Sequence, residues 1–465
     1  MNIFGHNGRG QAVGSTVPRI GLVFTILLLL IGGFGATSLT HAAPGILYVD
    51  GASGADSGNC QSALTPCETI GYAITQAVAT DMIYVAQGTY AENLVITSQL
   101  SLMGGYEAAG WTRDITLNMT TVDGGQSGTV VDFQAGSNGA VLDGFTITNG
   151  SVTTGGMGGG ITINDVSPTV INTQVLGNQT TNDGGGIYVS GGAPTFEDLL
   201  VDSNTSSGCC GGVHIGNNAT VNISDSTISN NNAGYGGGVG VFSDSTVTIT
   251  NSTISGNDTD VEFGQGGGMH VSGSGTVVNL VDSILADNLT RDHGGAISSD
   301  GGTVNLTNAL IYGNQSSTGN ANVFAVNLTD FTLMNATIAD NNPTAAQAVI
   351  LWSGSLTMTN SIMYNNAFSL GSDPPCPTCF TVTYSNIQGG FTGTGNIDAD
   401  PMFVDAANQD YHLQAFSPSW NTGTASGAPS ADIEGTPRDA LPDMGAYEWA
   451  GYLNFLPIVL KDFSP

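Results

Sequence analysis

The chain has 465 residues, of which 68 are glycine and only 9% are charged, and its net charge is −31. This length exceeds what a single compact core supports, and a hydrophobic share of 40% excludes the composition of a disordered chain. The negative charge argues against nucleic acid or an anionic membrane as a partner, because both would be repelled.

Residues 1–42 have the pattern of an export signal. Arg9 and Arg19 precede an apolar stretch (20–36), and the small residue Ala42 suits a cleavage site. The alternative is a retained membrane anchor, since an apolar stretch of roughly 17 residues approaches spanning length. We therefore expect a protein that is secreted, extracellular or attached to the cell surface.

Loss of this segment would make the charge more one-sided. The net charge would move from −31 to −33, because two arginines and no acidic residue are removed. The remaining bases are Arg113, Arg291, Arg438 and Lys461. An acidic polysaccharide would be repelled unless a bound cation bridged it to the protein. The simplest role of the acids is to keep an extracellular protein soluble.

The cysteines predict three short-range disulfides. They occur as three close pairs, Cys60 and Cys67, Cys209 and Cys210, and Cys376 and Cys379. Disulfides are the default in an exported protein. The last pair has redox-motif spacing, but no strand-to-helix context surrounds it, so we interpret it as a loop staple. A zinc site at this last pair is disfavoured because no second pair with matching spacing follows.

A short helix is predicted near the start of the folded region. Residues 65–68 have the form of a capping box with proline at the first helical position. Ile70, Ile74 and Val78 then fall on one helical face. The helix, at about residues 66–80, would cover the open end of the repeats that follow.

A repeated phrase runs through the middle of the chain. It consists of two or three glycines and an aliphatic residue, followed about fifteen residues later by an aliphatic residue, two spacers and an asparagine. The residue after the glycines is Ile161, Ile187, Val213 and Val239, and the phrase continues less regularly at Met269, Ile297, Val323 and Val349. The asparagines are Asn178, Asn204, Asn231, Asn257, Asn288, Asn314, Asn341 and Asn366. A fixed period, here about 26 residues, indicates a stack of similar units.

The units predict an all-β fold, a right-handed single-stranded parallel β-helix. Each unit contains three short β-branched runs with no helix between them, and alternation gives each run one apolar face. Every strand would pair with its equivalent one coil away, and right-handedness is the usual hand of parallel crossovers. The solenoid is expected over residues 86–366, with about eleven coils. Asparagine at one corner would hydrogen-bond from coil to coil, and glycine would occupy the opposite corner.

The flanking segments are assigned as caps. Residues 43–85 form the predicted N-terminal cap. Residues 367–449 break the period and contain more proline and aspartate, which indicates a C-terminal cap or anchor-associated region. Residues 450–465 end in an apolar tail that is too short to cross a bilayer as a helix. We interpret this tail either as a sorting or anchoring signal or as a final strand.

Several stretches resemble known families. The run from Tyr48 to Tyr90 resembles the start of secreted right-handed parallel β-helix proteins of the pectin-lyase-like superfamily, and residues 142–149 are similar to their first regular coil. The stretch 294–297 and the aliphatic-x-x-Asn ends resemble repeats of the polymorphic outer-membrane-protein adhesins, although the phenylalanine of that family's second motif is aliphatic here. These resemblances imply secretion and adhesion or polysaccharide binding by a monomer.

The C-terminal region resembles a different group. The stretches 395–405, 410–413 and 443–448 are similar to the choice-of-anchor type of region on bacterial surface proteins. The resemblance implies envelope association. It specifies fold and secretion better than chemistry.

The catalytic parts of the pectin-lyase-like enzymes are not evident. The resemblance implies acidic residues that hold calcium and a basic residue in the lyases, and clustered aspartates with His, Arg and Lys in the polygalacturonases. The repeats contain one base, Arg291, and the Arg-Ile-Lys and Gly-His-Gly signatures are absent. A non-catalytic protein is therefore expected. The alternatives are a calcium-dependent polysaccharide lyase or glycoside hydrolase acting at residues 258–293, and a structural surface-layer rod.

Two long repeats give the candidate site for that enzyme. The steps from Val239 to Met269 and from Met269 to Ile297 exceed the usual period. Their loops hold a candidate calcium set, Asp258, Asp260, Glu262 and Asp287, and a candidate catalytic set, Arg291, Asp292 and His293. The simpler interpretation is two solvated, slightly long loops.

An outward column beside the glycines is the second candidate. It reads Thr162, Tyr188, His214, Gly240, His270, Ser298, Phe324 and Ile350. Tyr188, His214 and His270 could stack against sugar rings as ligand-binding residues. His214 and His270 lie two coils apart, roughly 10 Å by strand spacing, which is too far to share a metal ion. Ordinary surface scatter explains the column equally well.

Overall fold

Three faces of parallel strands wind around one apolar core. The structure is a computed structural model that describes residues 43–259, 263–318, 321, 323–341, 347–366 and 370–449. From Pro44 onward these residues belong to one compact unit. Strands at equal repeat positions pair in parallel from turn to turn, as Ile161 with Ile187 and Ile187 with Val213 do. The predicted all-β parallel solenoid is confirmed, and the predicted number of coils roughly matches.

Each turn contributes one strand to each face in the order first, second, third. The first face comprises Leu94–Ile96, Val131–Phe133, Ile161–Asn164, Ile187–Ser190, Val213–Gly216, Val239–Val241, Met269–Ser272, the first halves of Ile297–Thr307 and Phe324–Met334, Val349–Leu351 and Leu370–Ser372. The second face comprises Ile46–Val49, Met82–Ala86, Ser101–Tyr106, Val141–Asp143, Thr169–Ile171, Thr195–Glu197, Thr220–Ser224, Thr246–Thr250, Val277–Val281, the second halves of the same two long strands, Gly354–Thr359 and Phe380–Thr383.

The third face is a separate sheet. It comprises Gly88–Ala91, Thr120–Asp123, Thr146–Thr148, Gln174–Leu176, Leu200–Asp202, Thr227–Ser229, Thr253–Ser255, Ile284–Ala286, Leu310–Tyr312, Thr337–Ala339, Ile362–Tyr364 and Asn386–Ile387. Two-residue strands follow several of the asparagines, at Ser151–Val152, Gln179–Thr180, Thr205–Ser206, Asp258–Thr259, Leu289–Thr290 and Gln315–Ser316.

Alternation within the strands produces the core. Ile187 and Val189 are fully buried while Tyr188 between them is half-buried, so one strand presents two apolar side chains inward and one side chain outward. The third face repeats this pattern, with Ile254 buried between Thr253 and Ser255. Side chains with period two therefore line a continuous apolar interior.

The asparagines form the predicted ladder. The Nδ2 atom of each donates to the Oδ1 atom of the next at 2.9 to 3.0 Å. The backbone N–H of each also donates to that same oxygen. The ladder is buried, with Asn204 and Asn257 fully shielded from solvent. It therefore satisfies the buried polar groups of this corner.

The expected position of the glycines is wrong, because they lie beside the ladder and not at the opposite corner. A Cβ atom at Gly186 would lie 2.7 Å from the carbonyl oxygen of Gly212 and 3.0 Å from Nδ2 of Asn204. The backbone thus packs directly on the asparagine amides of the next turn. Glycine is required here by this close approach.

The N-terminal helix is shorter than predicted and spans Ile70–Gln76. Thr69 is its N-cap and accepts a hydrogen bond from the N–H of Tyr72, so the prediction of a start at residue 66 is wrong. Residues before it cannot be helical because the N–H of Cys67 donates to the carbonyl of Tyr48, on the first strand. Val78, expected on the packed face, lies beyond the helix and is 68% exposed.

Parallel pairing extends beyond residues 86–366 on both sides. It begins with Ile46–Val49 and continues to Asn386–Ile387. Residues 388–449, which we call the return segment, then run back along the outside of the third face. The segment contains the antiparallel pair Phe403–Asp405 and Asp410–Leu413, joined by a 3-10 turn at Ala406–Asn408.

The return segment packs on apolar side chains that point outward from the third face. Tyr411, Ala446 and Tyr447 contact Leu310 and Ala339. The segment also contains a buried ion pair, Arg438 with Glu448 at 3.0 Å.

All three predicted disulfides are present, joining Cys60 to Cys67, Cys209 to Cys210, and Cys376 to Cys379. Among the described residues, no helix has the length and apolar character needed to span a membrane. The predicted export signal and the apolar tail lie outside the described residues.

Candidate functional site

A cleft of about 330 Å³ opens on the outer side of the first face. We call it the first-face cleft, and its lining residues are Tyr235, Gln265, His270, His293, Ser298, Ser299, Asp300, Asn327 and Trp352. It spans several consecutive turns, including the two long repeats identified from the sequence.

Two columns of residues build the cleft. Tyr235, Gln265 and His293 each stand immediately before the glycines of their turn, and parallel bridges align the three from turn to turn. The strand register places His270 beside Ser298 on the first face. The cleft therefore lies where the loop before the glycines meets the first-face strand, and the stacking of turns fixes its wall positions.

Two histidines contribute unpartnered ring nitrogens. His270 is 8% exposed, and its buried Nδ1 atom has no hydrogen-bond partner. Burial lowers the pKa of His270 to about 4, with Asp300 opposing the shift. The Nδ1 atom of His293 is also buried and unpartnered, and burial lowers the pKa of this histidine while Asp292 opposes the shift. Both imidazoles are therefore neutral near pH 7, and each retains an unused capacity for a hydrogen bond.

Polar and aromatic groups surround these histidines. Asn327 Nδ2 donates to Asp300 Oδ1 at 2.8 Å, and Ser298 Oγ donates to the side-chain oxygen of Gln265 at 3.3 Å. The Trp352 ring meets the His293 ring edge to face, with centroids 4.9 Å apart. The cleft thus combines hydroxyl-binding groups with apolar ring surfaces, as sites for small polar ligands do.

The described lining of the cleft contains few charged groups. Asp300 is the only carboxylate among the described residues that line the cleft, and they include no arginine or lysine. Glycoside hydrolysis generally uses two carboxylates that flank the scissile bond. The described lining contains one carboxylate, that of Asp300.

The predicted catalytic set is only partly brought together. His293 lines the cleft, whereas Arg291 and Asp292 do not belong to its described lining. Arg291 is exposed, and its backbone N–H donates to the carbonyl of Thr259, so it lies near Asp258 along the backbone of the adjacent turn. The structure instead places His293 in the same cleft as His270, which belonged to a different candidate set in the sequence analysis.

The structure describes two members of the predicted calcium set, Asp258 and Asp287. Asp258 begins a two-residue strand after the asparagine ladder and pairs with Leu289. Asp287 precedes the ladder in its turn and lines a separate groove with Tyr312 and Tyr411, beside the return segment. Asp260 and Glu262 lie outside the described residues. Asp258 and Asp287 thus lie on opposite sides of the asparagine ladder.

The outward column forms a stack of rings. The Tyr188 and His214 rings are stacked at 4.7 Å and 19°, and the His214 and Phe242 rings at 5.1 Å and 17°. Neighbouring rings therefore cover both faces of the His214 ring and one face of the Tyr188 ring. Phe242 lies close above Gly240, whose missing side chain leaves room for it.

One member of that column was assigned wrongly. Phe324 pairs with Ile297 and is fully buried in the core, and Ala325 pairs with Ser298 in the outward position. The loop before Phe324 differs in length from those of earlier turns, which moves the register by one residue and reverses the direction of the side chain.

Most of the cleft was missed from the sequence. Tyr235, Gln265 and His293 share the position directly before the glycines, and this periodic signal could have identified them. Asp300, Asn327 and Trp352 sit at the far ends of first-face strands and follow no common residue type. Their convergence follows from the register between turns.

Comparisons with known proteins agree on the fold. Residues 106–285 match a family model described as a right handed beta helix region. A solved structure described as "Crystal structure of pectate lyase Pel9A" is similar with a TM-score of 0.51 and 16% identity, over 88% of this chain and 97% of that chain. A search of curated proteins by sequence found no match. At this identity the likeness concerns the fold alone, and that fold is a right-handed parallel β-helix.

Proposed function

We propose that the protein is a secreted or surface-attached β-helix that binds a neutral polysaccharide in the first-face cleft without cleaving it, as in adhesion. The observation that carries the proposal is the pair of buried, unpartnered imidazole nitrogens, His270 Nδ1 and His293 Nδ1, in one cleft with Trp352. Buried polar groups normally have hydrogen-bond partners. Unpartnered polar atoms in the wall of a cleft therefore indicate a ligand that can form hydrogen bonds with them.

The charge of the cleft and of the whole chain favours a neutral ligand. Asp300 is the acid in the described lining, the described lining has no arginine or lysine, and the whole chain carries a net charge of −31. A polyanion would meet repulsion both at long range and in the cleft. Hydroxyl groups of a neutral sugar can instead donate to imidazole and carboxylate and accept from amides.

The aromatic walls suit the apolar faces of sugar rings. Tyr235 is 41% exposed, and Trp352 is partly exposed beside His293. Such rings bury large apolar areas and tolerate polar neighbours. The likeness to a pectate lyase fold supports a polysaccharide role in general terms. Export through residues 1–42 and attachment through residues 367–465 complete the proposal, with the protein acting as a monomer.

A glycan array probed with the chain from residue 43 onward tests this function. We expect binding to one or more neutral polysaccharides, confirmed by titration calorimetry. Trp352→Ala and His293→Ala should each weaken binding by about tenfold, or about 1.4 kcal/mol. The matched control is His412→Ala, a histidine of the return segment that pairs with Asp410, and it should bind normally. Binding that is lost equally in the control, or retained in both cleft variants, would refute the cleft as the site.

A further inference from the structure

Two cysteines and a histidine converge on the outer side of the first face. The sulfur atoms of Cys209 and Cys210 and a ring nitrogen of His214 all lie within 4.8 Å of one another. The closest approach to the ring is from Cys210 Sγ to His214 Nδ1, at 3.5 Å. Among the described residues, these three are the metal-ligating side chains whose ligand atoms all lie that close together. The disulfide between the two cysteines occupies both sulfurs.

The backbone at this site does not depend on the disulfide. The carbonyls of Cys209 and Cys210 accept hydrogen bonds from Gly184 and Gly185 at 3.0 and 2.9 Å, and the N–H of Cys210 donates to Tyr235 at 2.8 Å. The N–H of Cys209 donates to a carboxylate oxygen of Asp183 at 2.9 Å. Both cysteines are thus held by the turns on either side, so opening the disulfide would leave the two thiols adjacent.

The imidazole is also held in place. The His214 ring lies between the rings of Tyr188 and Phe242, which prevents it from turning away from Cys210. Space for sulfur is provided by Gly240, because a Cβ there would lie 2.2 Å from Cys210 Sγ.

We propose that Cys209, Cys210 and His214 form a thiol-dependent zinc site, which is closed when the two cysteines are oxidised and opened when a thiol reductant reduces them. The reduction is balanced by two thiols, which give up two hydrogen atoms to the cysteines and leave as their own disulfide. Binding of Zn²⁺ then releases two protons from the cysteines. Two thiolates and one imidazole are a normal ligand set for zinc and leave a fourth position for water.

The three ligands of this site are distinct from the residues that line the first-face cleft. It also differs from the other close cysteine pair that lies beyond the N-terminal region. Cys376 and Cys379 flank a loop in which Cys376 contacts Thr378, and no histidine belongs to a ligand group with them among the described residues. That pair therefore provides a matched control.

The test is a zinc titration of the full chain, fully reduced with a phosphine under nitrogen, in competition with a chromophoric chelator. The reduced protein should bind one zinc equivalent more than the Cys209→Ser/Cys210→Ser variant, and the Cys376→Ser/Cys379→Ser variant should keep that equivalent. With Cd²⁺ in place of Zn²⁺, the same equivalent should produce a thiolate-to-metal charge-transfer band. The air-oxidised protein should lack this binding.

A variant of the histidine ligand distinguishes this site from zinc binding by the two thiols alone. His214→Phe preserves ring stacking with Tyr188 and Phe242 but removes the nitrogen, and it should weaken zinc binding by about tenfold or more. Circular dichroism should show that each variant keeps its β-structure. Equal zinc stoichiometry in the wild type and the Cys209→Ser/Cys210→Ser variant would overturn the proposal, and so would unchanged affinity in His214→Phe.

Discussion

Replacement of Asn257 by alanine tests the physical role of the asparagine ladder. Asn257 is fully buried in the middle of the ladder. Its Nδ2 atom donates to Asn288 Oδ1 and to the carbonyl of Ile228, and its Oδ1 atom accepts from the backbone and side chain of Asn231. Asn257→Ala removes four hydrogen bonds and leaves the N–H of Asn231 without its partner.

The expected cost follows from those four bonds. A typical intramolecular hydrogen bond contributes about 1 kcal/mol net, and a buried group left unsatisfied costs about 1–3 kcal/mol. We therefore expect Asn257→Ala to lower the free energy of unfolding by about 3–5 kcal/mol. Asn366→Ala removes a similar set of bonds at the end of the ladder. Asn366 is partly exposed, so water can replace them, and the cost should be about 1–2 kcal/mol.

Urea unfolding followed by circular dichroism measures both variants. Because turns of a solenoid contact only their neighbours, unfolding can proceed in more than one step. The loss of stability should appear in the transition that reports the turns around Asn257, which hydrogen exchange can assign. If Asn257→Ala cost less than about 1 kcal/mol, or no more than Asn366→Ala, the ladder would not be a main source of stability.

Three further predictions concern pH, the return segment and catalysis. The folded-state pKa of His270 is lowered to about 4. Below about pH 6.5 the unfolded chain therefore binds a proton that the folded chain does not. The free energy of unfolding should fall by about 3 kcal/mol at most as the pH decreases towards 4. His270→Gln should reduce that pH dependence of the unfolding midpoint, and an unchanged slope would contradict the assignment. Arg438→Ala leaves Glu448 buried without its partner, which should cost about 3–5 kcal/mol and make residues 388–449 sensitive to limited proteolysis; resistance equal to the wild type would argue against it. With calcium and neutral or acidic glycans, we expect no unsaturated product, and product that disappears in Arg291→Ala would establish the lyase alternative.

The fold could be predicted because it depends on a period. The repeated aliphatic residues and asparagines recur at positions that the structure stacks, so the pattern alone predicted parallel strands and the buried ladder. The position of the glycines was mistaken because a sequence period gives the order of corners but not which elements touch across them. The helix start was mistaken because Cys67 is held by Tyr48, a contact between segments that local capping rules do not include.

The candidate site was harder to predict, since it depends on register and loop length. His270 and His293 were noticed for different reasons, and only the stacked register shows that they share a cleft. The return segment had a signal that a comparison of turns would reveal. Outward residues of the third face are Thr253 and Ser255 in one turn and Ile284 and Ala286 in the next. That change from polar to apolar marks where the face is covered.

The path of the return segment determines where mechanical load would enter the rod. The described chain ends at Trp449, and the nearby Ala446 bonds through its N–H to Thr337 on the third face. A pull transmitted from this end would therefore reach the solenoid part-way along its length, close to the turns that form the first-face cleft. Gly445 also donates to the carbonyl of Asn360 in the following turn, so neighbouring turns of the third face would share the load. An adhesive rod built this way would bear force mainly over the short span between ligand and attachment.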